Sequence, residues 1–137
     1  MILTVILCLD DRGGMIFNNR RQSRDREVLF DISKMADKEI LISPFSEKLF
    51  AEHNMRYKVK EDLPDSAEEN DIIFVEDIDI EPYISHIDKI IIYKWNRTYP
   101  FDKCFSADLG AEGFTLTNTE ELKGFSHEKI TKETYEK

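Results

Sequence analysis

The sequence predicts a single α/β domain over residues 1–137, built as a mixed sheet covered by helices on both faces and ending in a strand-rich segment. Three observations predict it. Apolar, β-branched runs recur at 2–9, 72–75 and 90–93, each bounded by charged or turn-forming residues, as suits strands buried on both faces. Stretches with helical spacing lie between these runs. The chain has 137 residues, 41% hydrophobic and 34% charged, with only five Gly and four Pro, the composition of a globular domain with a core.

Taken in order, the first run ends at Asp10-Asp11-Arg12-Gly13-Gly14, where the glycines permit positive φ or close backbone approach. Ser23 reads as the N-cap of a helix over about 24–36. Asp25 and Glu27 complement its dipole, and Val28, Leu29, Ile32 and Met35 or Ala36 form its apolar stripe. Glu39 to Ser43 reads as a short strand. Pro44 ends it and opens a helix running to about Glu52. Met55 to Val59 alternates weakly as a strand, and Asp65 to Asn70 suits one helical turn. After the central run 72–75, Pro82 to Ile87 reads as a short helix or turn, followed by the third buried run. Phe114 to Thr117 is a strand. The segment after Ser126 fits a capped helix over 127–135 and a strand about equally well.

The net charge is −9, unevenly spread. Between Arg12 and Arg26 stand five Arg and one Asp, whereas Glu61 to Glu81 holds ten acids and no base. The overall sign repels nucleic acid and anionic membrane, so strong nucleic-acid binding is not expected, but the Arg-rich segment can hold a small anion. The acidic stretch reads as a solvated face. Cys8 and Cys104 are too few for a disulfide framework and read as free thiols in a reducing, cytoplasmic setting. The N-terminal apolar run is too short to span a bilayer and lacks the basic region of a signal peptide, so no membrane association is expected.

Three polar motifs stand out. The segment Gly13 to Asp25 joins a buried strand to a helix start, the place where open α/β sheets bind ligands. Its Asn18, Arg20, Arg21, Gln22 and Ser23 offer amide, hydroxyl and forked guanidinium donors for phosphate or carboxylate. Trp95-Asn96-Arg97-Thr98-Tyr99-Pro100 follows the third buried run, and an aromatic beside an amide and a guanidinium can bracket a planar ligand. Gly124 to Lys129 contains Ser126 and His127, the latter a candidate general base. The three histidines are far apart, and no HxHxDH, HExxH, CxxC, GxSxG or Walker pattern is present. No metal or cofactor is expected.

The order of elements resembles dihydrofolate reductase over nearly the whole chain. The first strand leads into a loop with Gly14-Met15, then a helix with an acid at Asp25. Pro44-Phe45-Ser46 follows the second strand, residues 72–75 match the central strand, and 86–93 match the next helix end and strand. The resemblance implies a mostly parallel sheet closed by an antiparallel pair at 114–117 and 130–135, with Asp25 in the position of the substrate-binding acid. The chain departs from that family where the cofactor phosphates bind: glycines after the central strand are replaced by Val75-Glu76-Asp77-Ile78-Asp79, and a basic GR motif by Pro44-Phe45. One like-charge pair at about 4 Å costs roughly 4 kcal/mol at an effective dielectric near 20, so these acids oppose a pyrophosphate. The chain is also similar to small bacterial proteins of about this length that carry FNxRRQSRD, WNRxYP and SHEKIT motifs. All three are present at 17–25, 95–100 and 126–131. Members of that family are often labelled ribonuclease Z, which implies hydrolysis of phosphoesters or RNA.

Three functions follow as expectations. The first is binding of a small planar or anionic ligand, nucleotide- or pterin-like, on a reductase-like scaffold, with Arg20, Arg21 and Arg97 gripping the anion, Trp95 stacking, Asn18, Gln22, Asp25 and Asn96 setting orientation, and Ser23, Tyr99 and Ser126 beside them. The second is a hydrolase in which Asp25 or His127 does the acid–base work. The third is an acidic module, Glu61 to Glu81, meeting a basic protein.

Overall fold

The computed structural model describes residues 3–35 and 38–137. Ile2, at the start of the first predicted strand, and Ala36, at the end of the first predicted helix, lie outside the described residues. The main sheet has seven strands in the order β5-β4-β6-β1-β7-β10-β9. These are β1 (Thr4–Leu9), β4 (Ile40–Ile42), β5 (Tyr57–Val59), β6 (Ile72–Phe74), β7 (Lys89–Lys94), β9 (Thr115–Leu122) and β10 (Ile130–Glu136). Strands β5, β4, β6, β1 and β7 run parallel; β10 pairs antiparallel with β7, and β9 antiparallel with β10.

The apolar runs are buried on both faces because each face of the sheet has its own cover. Val5, Leu7 and Leu9 point one way with Ile73, Val75, Ile90 and Ile92. They are covered by the 3₁₀ helix Glu81–His86 through Ile84 and by the segment carrying Phe105, Leu109 and Phe114. Ile6, Phe74, Ile91 and Tyr93 point the other way, against Val28, Leu29 and Ile32 of α1 (Arg26–Met35) and Leu49 and Phe50 of α2 (Glu47–Glu52). α-Helices therefore cover one face, and a 3₁₀ helix with loops covers the other. Tyr93 pins α1 to the sheet: its hydroxyl donates to Asp31 at 2.5 Å, and Lys132 of β10 reaches the same carboxylate at 2.9 Å.

Local chemistry corrects several boundaries. The predicted loop 13–25 contains a hairpin, β2 (Gly14–Phe17) and β3 (Arg20–Arg21), joined by Asn18 and Asn19 at φ 52° and 57°. Two consecutive left-handed residues make the turn whose twist matches a hairpin, and Asn tolerates that conformation. β8 (Lys103–Cys104) completes this second, three-stranded sheet. Ser23 does not cap α1. Asp25 does, its Oδ1 accepting the Glu27 N–H at 2.9 Å, because the helix begins at Arg26. Pro44 opens a 3₁₀ turn (Pro44–Ser46) ahead of α2. The turn predicted at Asp65 to Asn70 falls earlier, over 61–66. β9 runs five residues beyond the predicted Thr117, to Leu122; it lies at the sheet edge and is exposed on nearly its whole length, so it has no apolar signature. The segment after Ser126 is a strand, β10.

Gly13 sits at φ +77°, where an added Cβ would lie 2.5 Å from the Phe105 carbonyl oxygen, so glycine is required there. Asp10 fixes the same corner. Its Oδ1 accepts the Arg12 and Gly14 N–H groups at 2.8 and 2.7 Å, and its Oδ2 accepts Tyr99 N–H at 3.0 Å. No described helix is long and apolar enough to cross a membrane. Cys8 and Cys104 are both free.

The α1–sheet contact supplies a direct test of this packing. Ile32 is 0% exposed at that contact. Ile32→Ala is expected to lower the unfolding free energy by about 2–5 kcal/mol, measured by urea denaturation.

Candidate functional site

Three segments remote in sequence meet at one corner of the main sheet. Ser23 comes from the turn between β3 and α1, Trp95 and Tyr99 from the segment after β7, and Ser126 and His127 from the turn before β10. The Asp25 carboxylate, itself 2% exposed, holds Ser126 and His127, and Ser23, Tyr99 and Trp95 meet the His127 ring. Asp25 Oδ1 accepts the N–H groups of Glu27 and Phe125, both at 2.9 Å, and Oδ2 accepts the Ser126 N–H at 2.9 Å. The Ser126 hydroxyl lies 3.2 Å and His127 Nδ1 3.0 Å from Oδ2. Burial raises the Asp25 pKa, but these donors outweigh it, led by Phe125 N–H and the His127 ring, and hold the carboxyl far below the usual carboxylate range. Gly124 permits the approach: an added Cβ there would lie 2.6 Å from Asp25 Oδ2.

An ionised Asp25 can only accept, so His127 presents Nδ1–H to it, and in the neutral ring Nε2 is then the acceptor. Ser23 Oγ lies 3.0 Å from Nε2, and the Tyr99 hydroxyl lies 3.3 Å from Nε2 and 3.4 Å from Ser23 Oγ. Trp95 stacks on the imidazole with ring centroids 4.8 Å apart and planes 23° apart, and seals one face of a ring that is 4% exposed. A hydroxyl, an imidazole and a carboxylate thus stand in series, the order needed to withdraw a proton from the hydroxyl.

In front of Ser23 opens a cleft of about 650 Å³. Asn19, Arg20, Arg21, Arg24 and Lys48 line it beside Ser23, with Phe45 at its wall. Arg21 forms a two-point ion pair with Glu76, whose Oε1 also accepts the Ser46 hydroxyl at 2.7 Å, and its guanidinium lies over the Phe45 ring. Arg24 meets Glu52 at 3.1 Å across an exposed surface. Among the described residues, no carboxylate pairs with Arg20 or Lys48. A second cleft, about 480 Å³, shares Arg20 and Arg21 with the first and is completed by Asn18, Gln22, Tyr99 and Pro100. Behind Ser23, a void of about 10 Å³ touches Cys8, Phe74 and Trp95, room for about one water. Desolvation, then the Glu76 charge, raises the Cys8 thiol pKa, which keeps it protonated and unreactive.

Not every candidate joins this corner by its side chain. Asn18 and Asn19 serve the hairpin turn, Asn18 N–H donating to Asp102 at 3.0 Å. Gln22 bonds the Pro100 carbonyl at 3.2 Å. Asn96 ties its turn to β10 through Lys129 O and Thr131 Oγ1, at 3.2 and 3.0 Å. Arg97 contributes its carbonyl to Asp11 N–H at 2.9 Å, and it lines neither cleft. Sequence reasoning missed Phe45, Ser46, Lys48 and Glu76. Glu76 falls in the acidic stretch that reads as a solvated face, yet it is 8% exposed. Its signal is placement: it stands two residues beyond β6, where a side chain faces the strand ends. Among the described residues, no group of three or more His, Cys, Asp or Glu side chains is arranged to hold a metal ion.

The low pKa of Asp25 makes its contribution to stability complete above the usual carboxylate value of 3.8, and lost as the pH falls below it toward the folded-state value. Urea midpoints measured from about pH 6 down to about pH 2 are expected to fall more steeply for the native chain than for Asp25→Asn.

No protein-family model matches the sequence, and no curated protein matches it. Among solved structures, it is similar to a dihydrofolate reductase from Enterococcus faecalis complexed with NADP(H) and RAB-propyl, at a TM-score of 0.71 and 12% identity over 98% of this chain and 95% of that one. The strand order, the parallel core and the antiparallel end therefore form a dihydrofolate-reductase-like fold.

Proposed function

We propose that this chain binds a small anionic ligand, phosphate- or carboxylate-bearing and nucleotide-like, in the basic cleft in front of Ser23. The observation that carries this reading is local. In a chain of net charge −9, two cations without carboxylate partners among the described residues, Arg20 and Lys48, flank a cleft that also holds Arg21 and Arg24. Leaving cations together costs repulsion that an anion relieves, and a guanidinium matches the geometry of phosphate or carboxylate. Phe45 adds an apolar wall for a planar group.

The residues at the strand ends do not fit a dinucleotide. β6 is followed by Glu76, Asp77 and Asp79, and the chain's glycines stand at 13, 14, 110, 113 and 124, away from this turn. Glu76 is committed to Arg21 and Ser46, and Asp77 accepts the Ser43 hydroxyl at 2.9 Å. A pyrophosphate there meets fixed carboxylates in place of free N–H groups, which disfavours a dinucleotide hydride donor at this position. A pteridine beside Asp25 fares no better. The Phe125 and Ser126 N–H groups already occupy that carboxylate, and the adjoining void is about 10 Å³. The outer cleft in front of Ser23, at about 650 Å³, has the room that this void lacks.

Thermal denaturation with inorganic phosphate, nucleoside monophosphates and pterins provides the test. Phosphate and nucleotides are expected to raise the melting temperature, pterins lacking an anion to leave it unchanged. Replacing Arg20 and Lys48 by Ala is expected to weaken phosphate binding by about tenfold per cation. No stabilisation by any anion, or identical stabilisation of the double variant, overturns the reading.

A further inference from the structure

We propose that Ser23, His127 and Asp25 form a nucleophilic relay that hydrolyses a carboxylic ester or thioester whose acid or leaving group carries an anion. The anion selectivity rests on the binding reading above; the nucleophile does not.

Asp25 Oδ2 stands 3.0 Å from His127 Nδ1, and Ser23 Oγ 3.0 Å from Nε2, so the imidazole bridges carboxylate and hydroxyl through its two nitrogens. That is the arrangement in which a serine proton passes to imidazole during attack, while the carboxylate holds the ring's tautomer and orientation. Burial alone asks any imidazole for partners on its nitrogens; what sets this one apart is that the partners are a carboxylate on one side and a half-buried serine hydroxyl on the other. Here both nitrogens are engaged, one ring face is stacked on Trp95, and the carboxylate is itself held by the N–H groups of Glu27, Phe125 and Ser126. Tyr99 OH lies 3.4 Å from Ser23 Oγ, placed to donate to the oxygen as its own proton leaves. The relay is also reachable from outside. His127 and Asp25 are buried, whereas Ser23 is only half-buried and opens on the basic cleft. The cations of that cleft supply a positive field where negative charge develops on a carbonyl oxygen.

The chemistry balances with water as the only co-reactant. Ser23 Oγ attacks the carbonyl carbon, forming the C–Oγ bond as its proton passes to His127 Nε2. The tetrahedral adduct collapses, the bond to the leaving group breaks, and the leaving oxygen or sulfur takes the proton from Nε2. Water then attacks the acyl-serine and gives its proton to Nε2. The C–Oγ bond breaks, Oγ recovers the proton, and the carboxylic acid leaves. Ser23 and His127 are the catalytic residues, and Asp25 is a positioning residue.

Diisopropyl fluorophosphate, which phosphorylates activated serines with loss of fluoride, tests the relay on the full chain. The expected result is a single adduct on Ser23, located by peptide mass spectrometry, that is absent in Ser23→Ala. His127→Gln is expected to slow labelling by about 100-fold or more. Asp25→Asn is expected to slow it too, while keeping the phosphate-induced thermal shift, which a merely structural role would abolish together with labelling. Hydrolysis of 4-nitrophenyl hemisuccinate is expected to exceed that of 4-nitrophenyl acetate and to disappear in Ser23→Ala. Absence of an adduct in the folded native chain, or equal labelling of exposed serines such as Ser33 and Ser106, overturns the relay. Those results need no variant to fold. A phosphate shift retained in Ser23→Ala alongside such a failure leaves anion binding standing alone. Labelling of Ser23 without a phosphate shift retains the relay and removes the anion selectivity.

Discussion

A buried carboxylate has to be solvated by the protein that buries it. Asp25 sits at the start of a helix that packs on the sheet, and everything at this corner is arranged to satisfy it. The helix supplies one N–H, the turn before β10 supplies two more, and an imidazole supplies a fourth donor. That demand draws the turn 124–127 against the start of α1, across about a hundred residues of sequence. The same demand orients His127, and the oriented imidazole in turn receives Ser23 and Tyr99. The placement of the Ser23 hydroxyl against His127 is a consequence of solving a solvation problem one residue pair away.

The order of strands and the antiparallel end are those of a dihydrofolate-reductase-like fold. The interior beside Asp25 is closed by the chain itself, with Trp95 and His127 filling the space and Glu76 locked to Arg21. The space that the interior lacks is found outside it, in the clefts against the hairpin β2–β3 and the start of α2. Fold and site therefore carry separate information here, as general experience with widely shared scaffolds leads one to expect.

Much of the framework was legible in the sequence because it rests on hydrophobic periodicity. The runs around Val5, Ile73 and Ile91 announce strands by burial alone, and Val28, Leu29 and Ile32 announce the face of α1. The convergence of the three polar motifs was also legible as an expectation, since each follows or precedes a buried element at one edge. What escaped was set by geometry over long sequence distances. The cap fell to Asp25 instead of Ser23 because the choice depends on where the helix starts, within two residues. The Asn18-Asn19 hairpin lacks the glycine that usually signals such a turn. β9 shows no alternation because neither of its faces is buried. Glu76 and Lys48 belong to the corner only because β6 and α2 end or begin there, and no local pattern records that.

The two edges of the main sheet bear on how the molecule behaves in a crowd. Edge strands offer unpaired N–H and C=O groups to any other strand, and long flat apolar edges invite fibrous stacking. One edge, β5, is only three residues long, with Lys58 at its centre. The other, β9, is eight residues long but carries Glu120 and Glu121, and its partner β10 has a register break between Thr134 and Tyr135 that bends the ribbon. Brevity at one end, and charge with curvature at the other, discourage the sheet from growing by recruiting further copies.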